Sequence, residues 1–206
     1  MLYDISPRID AGTPVWPGDT AFAVHRLTSI ADGATVNLTS ITTTPHLGAH
    51  ADAPLHSERD GASIADVGLE AYLGPCRVMR VPPQPLIEPH HLKGVDVGKP
   101  PRLLLRTESV RGRADFPRHF SALSPALAAL FVERGVLLVG IDTPSVDPFD
   151  SKTLEVHHTL FRHGVANLEG LNLEGVPEGV YELIALPLKL AGACASPVRA
   201  ILRTLE

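Results

Sequence analysis

The sequence predicts a single mixed α/β domain with a central mixed β-sheet and few helices. Three observations carry that expectation. Short β-branched or leucine-rich runs recur along the chain, each closed by Pro, Gly, Asp or Ser. Two of them, RLLLRT (102–107) and VLLVGID (136–142), are continuously apolar, as suits strands covered on both faces. Only two stretches have the period of an amphipathic helix. A chain of 206 residues, 44% hydrophobic and 20% charged, is long enough to bury one core. No repeat, low-complexity tract or linker divides it, so residues 1–206 read as one domain.

Taken in order, the expected strands are AFAVHRL (21–27), TVNLTSITT (35–43), CRVMRV (76–81), the two buried runs, YELIALPLKL (181–190) and PVRAILRTL (197–205). TVNLTSITT alternates at Val36 and Leu38, the pattern of a half-buried strand. The Pro- and Gly-rich stretch 81–101 reads as a surface excursion holding at most a short helix around Glu88 to Lys93. LSPALAALFVERG (123–135) predicts a helix: Ser124 is placed to cap it, Pro125 fits the first turn, Leu127, Leu130 and Phe131 share a face, and Gly135 ends it. SKTLEVHHTLFRHG (151–164) predicts the second, with Leu154, Phe161 and either His157 or His158 at helical spacing and Gly164 as terminator. YELIALPLKLAGACA (181–195), broken by Pro187 and Lys189, is too short to span a bilayer and reads as core.

Charge and cysteine usage narrow the function classes. A formal net charge of -5 with scattered basic residues offers no footprint for nucleic acid or an anionic membrane, which leaves a small molecule or a protein as partner. The stretch MLYDISPRID lacks the basic start and apolar run of an export signal, so a cytoplasmic protein is expected. Cys76 and Cys194 stand in unrelated contexts without CxxC spacing and read as small buried apolar residues.

The chemistry concentrates in HLGAHADAPLH, residues 46–56. His46, His50, Asp52 and His56 share parity, so in extended chain they project to one side. A straight strand would spread them over roughly 33 Å, far beyond the reach of one ion, so the segment must bend, and Gly48 and Pro54 suit a bend. His50 and Asp52 can reach one ion together, a turn at Gly48 returns His46 to it, and His56 falls just beside the site. Imidazoles with a carboxylate suit zinc or manganese, and three protein ligands leave a position open for water. Any single histidine is more often a hydrogen-bonded surface residue; four candidate ligands in eleven residues outweigh that reading.

A second acidic and histidine pair lies in HHTLFRHGVANLEGL (157–171). With residues 152–163 helical and VANLEGL returning as a strand, one of His157 or His158 could meet Glu169, and periodicity does not choose between them. His163, near the helix end, reads as a C-terminal charge partner. Trp16, the chain's sole tryptophan, sits between Pro14 and Pro17 in a fixed turn.

These residues resemble the bacterial kynurenine formamidases (arylformamidases), members of the cyclase-like metal-dependent hydrolases, whose signature runs roughly H-x-G-[TA]-H-x-D-x-P-x-H. YDISPRIDAGTPVWPGDT, GPCRV, GIDTPSVDP, SKTLEVHH, NLEGL, YELIALPLKL and ASPVRAILR resemble segments of that family in the same order. The resemblance implies a swivelling β/α/β fold and two divalent metal ions per subunit, usually Zn2+. His46, His50 and Asp52 would hold one ion, and a bridging Asp52 with His157 and Glu169 the other. It implies His56 as catalytic acid/base, Trp16 as a substrate contact and a homodimer. Ala49 stands where many relatives have Thr, so any hydrogen bond from that hydroxyl is missing here.

The expected reaction is hydrolysis of N-formyl-L-kynurenine to L-kynurenine and formate, a step of tryptophan degradation. A divalent ion makes water acidic enough to react near neutral pH, and a histidine can protonate the departing aniline nitrogen. Two rivals stand beside it: a related amidohydrolase acting on another aromatic or cyclic amide of the isatin type, and a non-catalytic domain with a closed structural ion.

Overall fold

The computed structural model describes residues 1–110 and 115–205. Its strands are β1 (Leu2–Asp4), β2 (Ala23–Thr28), β3 (Leu38–Thr42), β4 (His50–Asp52), β5 (Leu73–Arg80), β6 (Leu86–Ile87) and β7 (Arg102–Arg106). β8 (Ala122–Leu123), β9 (Leu138–Ile141), β10 (Ala166–Glu169), β11 (Gly179–Ile184), β12 (Ala195–Pro197) and β13 (Ile201–Thr204) complete the set, with helices α1 (Pro125–Glu133) and α2 (Glu155–Arg162). Nine strands form one mixed sheet in the order β1-β13-β11-β5-β7-β9-β10-β4-β12. Its centre, β5-β7-β9-β10, is parallel, and the strands outside it run antiparallel. This is the single α/β domain with few helices that the sequence predicts.

The central strands are covered on both faces. On one face, Leu103, Leu105, Val139 and Ile141 pack with Leu127 and Phe131 of α1 and Val156 and Leu160 of α2. On the other, Leu104, Leu138 and Leu168 join Val78, Leu183 and Leu202. Consecutive leucines of RLLLRT thus enter opposite cores, which is why that run has no polar alternation. α1 starts as expected, with Ser124 Oγ accepting the Leu127 N–H.

Four expectations need correction. The second helix is shorter than 152–163: Leu154 adopts a left-handed φ of 45° and lies outside it, and the buried residues are Val156, His157 and Leu160. TVNLTSITT is not half-buried, because among the described residues β3 pairs only with β2, and Val36, Leu38 and Ile41 are all exposed. In 181–195 the strand stops at Ile184, and Leu186, Leu188 and Leu190 face solvent rather than the core. Cys76 is fully buried as expected, but Cys194 is only partly buried and borders the main cavity. Among the described residues, no helix is long and apolar enough to cross a membrane.

Candidate metal centre

β4 is the centre of the site. It lies between β10 and β12, with Glu169 opposite His50 on one side and Ala195 opposite Asp52 on the other. The strand alternation sends His50 and Asp52 to one face and Ala51 into the core. The bend expected at Gly48 is there, with a φ of 59°, and it folds His46 back onto Asp52. Gly170, at φ 64°, lets the end of β10 approach this turn so closely that a Cβ would stand 2.1 Å from the Gly48 carbonyl oxygen. Pro54 opens a 3-10 turn, Pro54–His56, that sets His56 at the site's edge.

Two clusters of donor atoms result, one of His46, His50 and Asp52, the other of Asp52, His157 and Glu169, each drawn within 4.8 Å. His46 Nδ1 is 2.8 Å from Asp52 Oδ1, and His50 Nε2 is 3.5 Å from the same oxygen and 3.4 Å from Glu169 Oε2. His157 Nε2 lies 3.5 Å from Asp52 Oδ2 and 3.2 Å from Glu169 Oε1. Most of these gaps are long for hydrogen bonds, yet they match the separation of about 3.3 Å between ligands arranged tetrahedrally around a zinc-sized ion. His50 Nε2 and His157 Nε2 are buried without a hydrogen-bond partner. Buried polar atoms left in this way are costly, and the donor set fits divalent cations. His158, which periodicity left level with His157, turns away to Glu58 at 2.7 Å.

Four of the five candidate ligands are aimed by a partner. His50 Nδ1 donates to the Gly48 carbonyl (3.0 Å) and His157 Nδ1 to Asp147 (2.7 Å), which directs both Nε2 atoms inward. Asn167 Nδ2 donates to Asp52 Oδ2 (2.8 Å) and Glu169 Oε1 (3.1 Å), and the Val146 N–H to Glu169 Oε1 (2.8 Å). Burial opposes the imidazolium of His50, but the Asp52 and Glu169 carboxylates outweigh it and lift the ring to about 9. Burial likewise opposes the imidazolium of His157, and the Asp147 carboxylate first, then Asp52 and Glu169, raise that ring above its usual range, while the histidines hold Asp52 and Glu169 below theirs against the effect of burial. For His56 burial dominates and pushes the ring down, so it is neutral near pH 7.

The site opens into a cavity of about 860 Å³, bordered by Trp16 and Phe116 as well as His46, His56, His157 and Glu169. That volume is enough for a drug-sized molecule. Trp16 stacks on Phe149 at 4.9 Å and 23°, and meets Phe116 edge-on at 5.1 Å. Asp147, Asn167, Phe116 and Phe149 were not singled out by sequence. Asp147 and Asn167 lie inside GIDTPSVDP and NLEGL, but a buried hydrogen-bond partner has no periodicity of its own.

The family model named Cyclase matches residues 3–148, well over half of the chain and all of the 46–56 motif. A solved structure described as a potential metal-dependent hydrolase with cyclase activity is 29% identical, covering 98% of this chain and 96% of its own, with a TM-score of 0.83. A predicted metal-dependent hydrolase from Bacillus stearothermophilus is also 29% identical, covering 98% and 97%, with a TM-score of 0.82. Isatin hydrolase A from Labrenzia aggregata, bound to benzyl benzoate, covers 100% and 94% with a TM-score of 0.84, but at 24% identity it speaks for the fold alone. A family match that takes in His46, His50, Asp52 and His56, on a fold shared from end to end with these structures, places the chain in the Cyclase family.

Proposed function

We propose that the protein is a metal-dependent arylformamidase that hydrolyses N-formyl-L-kynurenine to L-kynurenine and formate. The observation that carries this reading is the set of buried, unpartnered ligand atoms at the floor of an aromatic-walled cavity, with a neutral histidine beside it. His46, His50 and Asp52 would hold one divalent ion, Zn2+ by preference, and Asp52, His157 and Glu169 a second. Bound there, the ions supply an acidified water and polarise the formyl carbonyl.

The chain's own residues do the rest. The His56 ring lies 4.3 Å from that of His46 and 5.4 Å from that of His157 between centroids, which sets it beside both clusters. Its depressed proton affinity leaves it free to take the proton of the attacking water and pass it to the aniline nitrogen as the C–N bond breaks. Formate and the free aniline are then the products. Phe149 covers one face of Trp16, so the substrate ring would meet the indole's open side together with Phe116.

A second substrate reading, a cyclic aryl amide of the isatin type, draws on the shared fold with isatin hydrolase A. Initial rates on both compounds, before and after chelation, decide between them. Formate release that survives complete metal removal refutes the metal-dependent reading, and a faster rate on isatin moves the substrate assignment.

The assembly we propose is a homodimer built through the β2–β3 ribbon. Val24 and Ile41, directly opposite each other on one face of a pair of strands outside the main sheet, are exposed. A two-stranded ribbon is marginal in water by itself, and an apolar one is stabilised by burial against a second copy.

A further inference from the structure

The cavity wall carries a third group of donor atoms that the hydrolytic reading leaves unused. His46 turns Nδ1 inward to Asp52, and its outer nitrogen, Nε2, lies 3.3 Å from Cys194 Sγ. The His56 ring lies beside them, 4.3 Å from His46 between centroids. One ligand atom from each of His46, His56 and Cys194 falls within 4.8 Å of the others, and all three residues border the cavity. The two inner clusters are nitrogen and oxygen sets whose members are buried except for the partly exposed His46; this one contains sulfur and lacks a carboxylate, and all three of its residues are only partly buried. Two imidazoles and a thiolate make a soft set, which selects thiophilic ions over the hard cations that carboxylates prefer.

We propose that His46, His56 and Cys194 form a third, exchangeable site for a thiophilic divalent cation, and that its occupation inhibits the enzyme. Binding needs no redox partner. The Cys194 thiol and the His46 Nε2–H each release a proton to solvent, the sulfur and that nitrogen bond the ion, and His56 adds a neutral nitrogen. With His56 so engaged, the base proposed for the hydrolysis is no longer available. The inhibition rests on the role proposed for His56, whereas the binding rests on the three donors alone.

Cadmium is the probe, added to protein whose inner sites are already loaded with zinc. A thiolate-to-cadmium charge-transfer band in the ultraviolet reports the site, and formate release reports its consequence. The band is expected to saturate with a single further equivalent per chain while the rate falls in step. Cadmium exchanged into an inner cluster has no sulfur ligand and stays silent in this band. Cys76 is the other cysteine, and burial pushes its thiol up to about 12, so it is silent too. Cys194→Ser should abolish the band and weaken inhibition at least about tenfold. Bound cadmium should also block alkylation of Cys194 in the native chain, a reading independent of any variant. No band in the native protein, or an undiminished band in Cys194→Ser, overturns the site. A saturated band with an unchanged rate overturns the inhibition. Failure to release formate at all sinks the proposed function while leaving the band to judge the site.

Discussion

Asp147→Asn tests whether the second cluster depends on the residue that aims its histidine. Asp147 Oδ2 accepts from His157 Nδ1 at 2.7 Å and from the His157 N–H at 3.0 Å, while Oδ1 accepts from the Val156 N–H at 3.2 Å. An asparagine amide has one oxygen to offer. Pointed at His157, it turns its NH2 group against the Val156 N–H; reversed, it sets a donor against the imidazole. Either way a buried donor loses its acceptor, which costs about 1–3 kcal/mol. Loss of an orienting carboxylate typically weakens a metal site by about 10- to 100-fold, or about 1.4–2.7 kcal/mol. Zinc affinity measured by chelator competition, with urea unfolding of the metal-free protein beside it, reads both quantities. We expect one of the two zinc-binding steps to shift and the unfolding midpoint to fall. Two zinc steps within about threefold of the parent would falsify the idea that Asp147 positions His157.

Further outcomes follow from other parts of the site. His56→Ala should lower kcat by about 10²- to 10⁴-fold while both ions remain bound, and Trp16→Ala should mainly raise KM; a metal-loaded His56→Ala enzyme with unchanged kcat removes the proton-transfer assignment. Gly170→Ala should lose at least about 1–2 kcal/mol from its positive φ alone, and more from the contact with the Gly48 carbonyl, with weakened zinc binding; calorimetry at parental stability contradicts this. Ile41→Asp, on the exposed ribbon, should shift the protein from dimer to monomer by light scattering with its circular dichroism preserved, and an unchanged mass rejects the ribbon as the interface. Cys76, its thiol lifted to about 12, should be thiolate only at about one part in 10⁴ at pH 8 and resist alkylation in the native state; rapid labelling there contradicts its burial.

The site was partly legible because strand parity is a local property. His50 and Asp52 share a face in the structure for the reason their spacing gave, and Gly48 bends the chain where a glycine was needed. The choice between His157 and His158 was not local. Both fit an amphipathic helix, and it is the position of β10 behind α2 that buries His157 and leaves His158 with Glu58. Asp147 and Asn167 escaped notice because a buried hydrogen-bond partner leaves no periodic pattern: Asp147 meets His157 only once the chain between them has turned into α2, and Asn167 meets Asp52 only across the sheet. The ribbon and Leu186–Leu190 failed for a different reason: alternation says which side chains share a face, not whether anything lies against that face.

The placement of His50 and Asp52 on an interior strand has a consequence for how such a protein can change. Those two residues sit in a ladder held on both sides, and a slip of one residue would replace them with Ala51 and lose the pairing with Glu169 as well. Trp16 and Phe116, by contrast, lie outside every strand and helix and border the cavity from its rim. Mutation can therefore reshape what enters the cavity without touching what reacts there, so new substrates are open to this scaffold while its chemistry is inherited nearly whole.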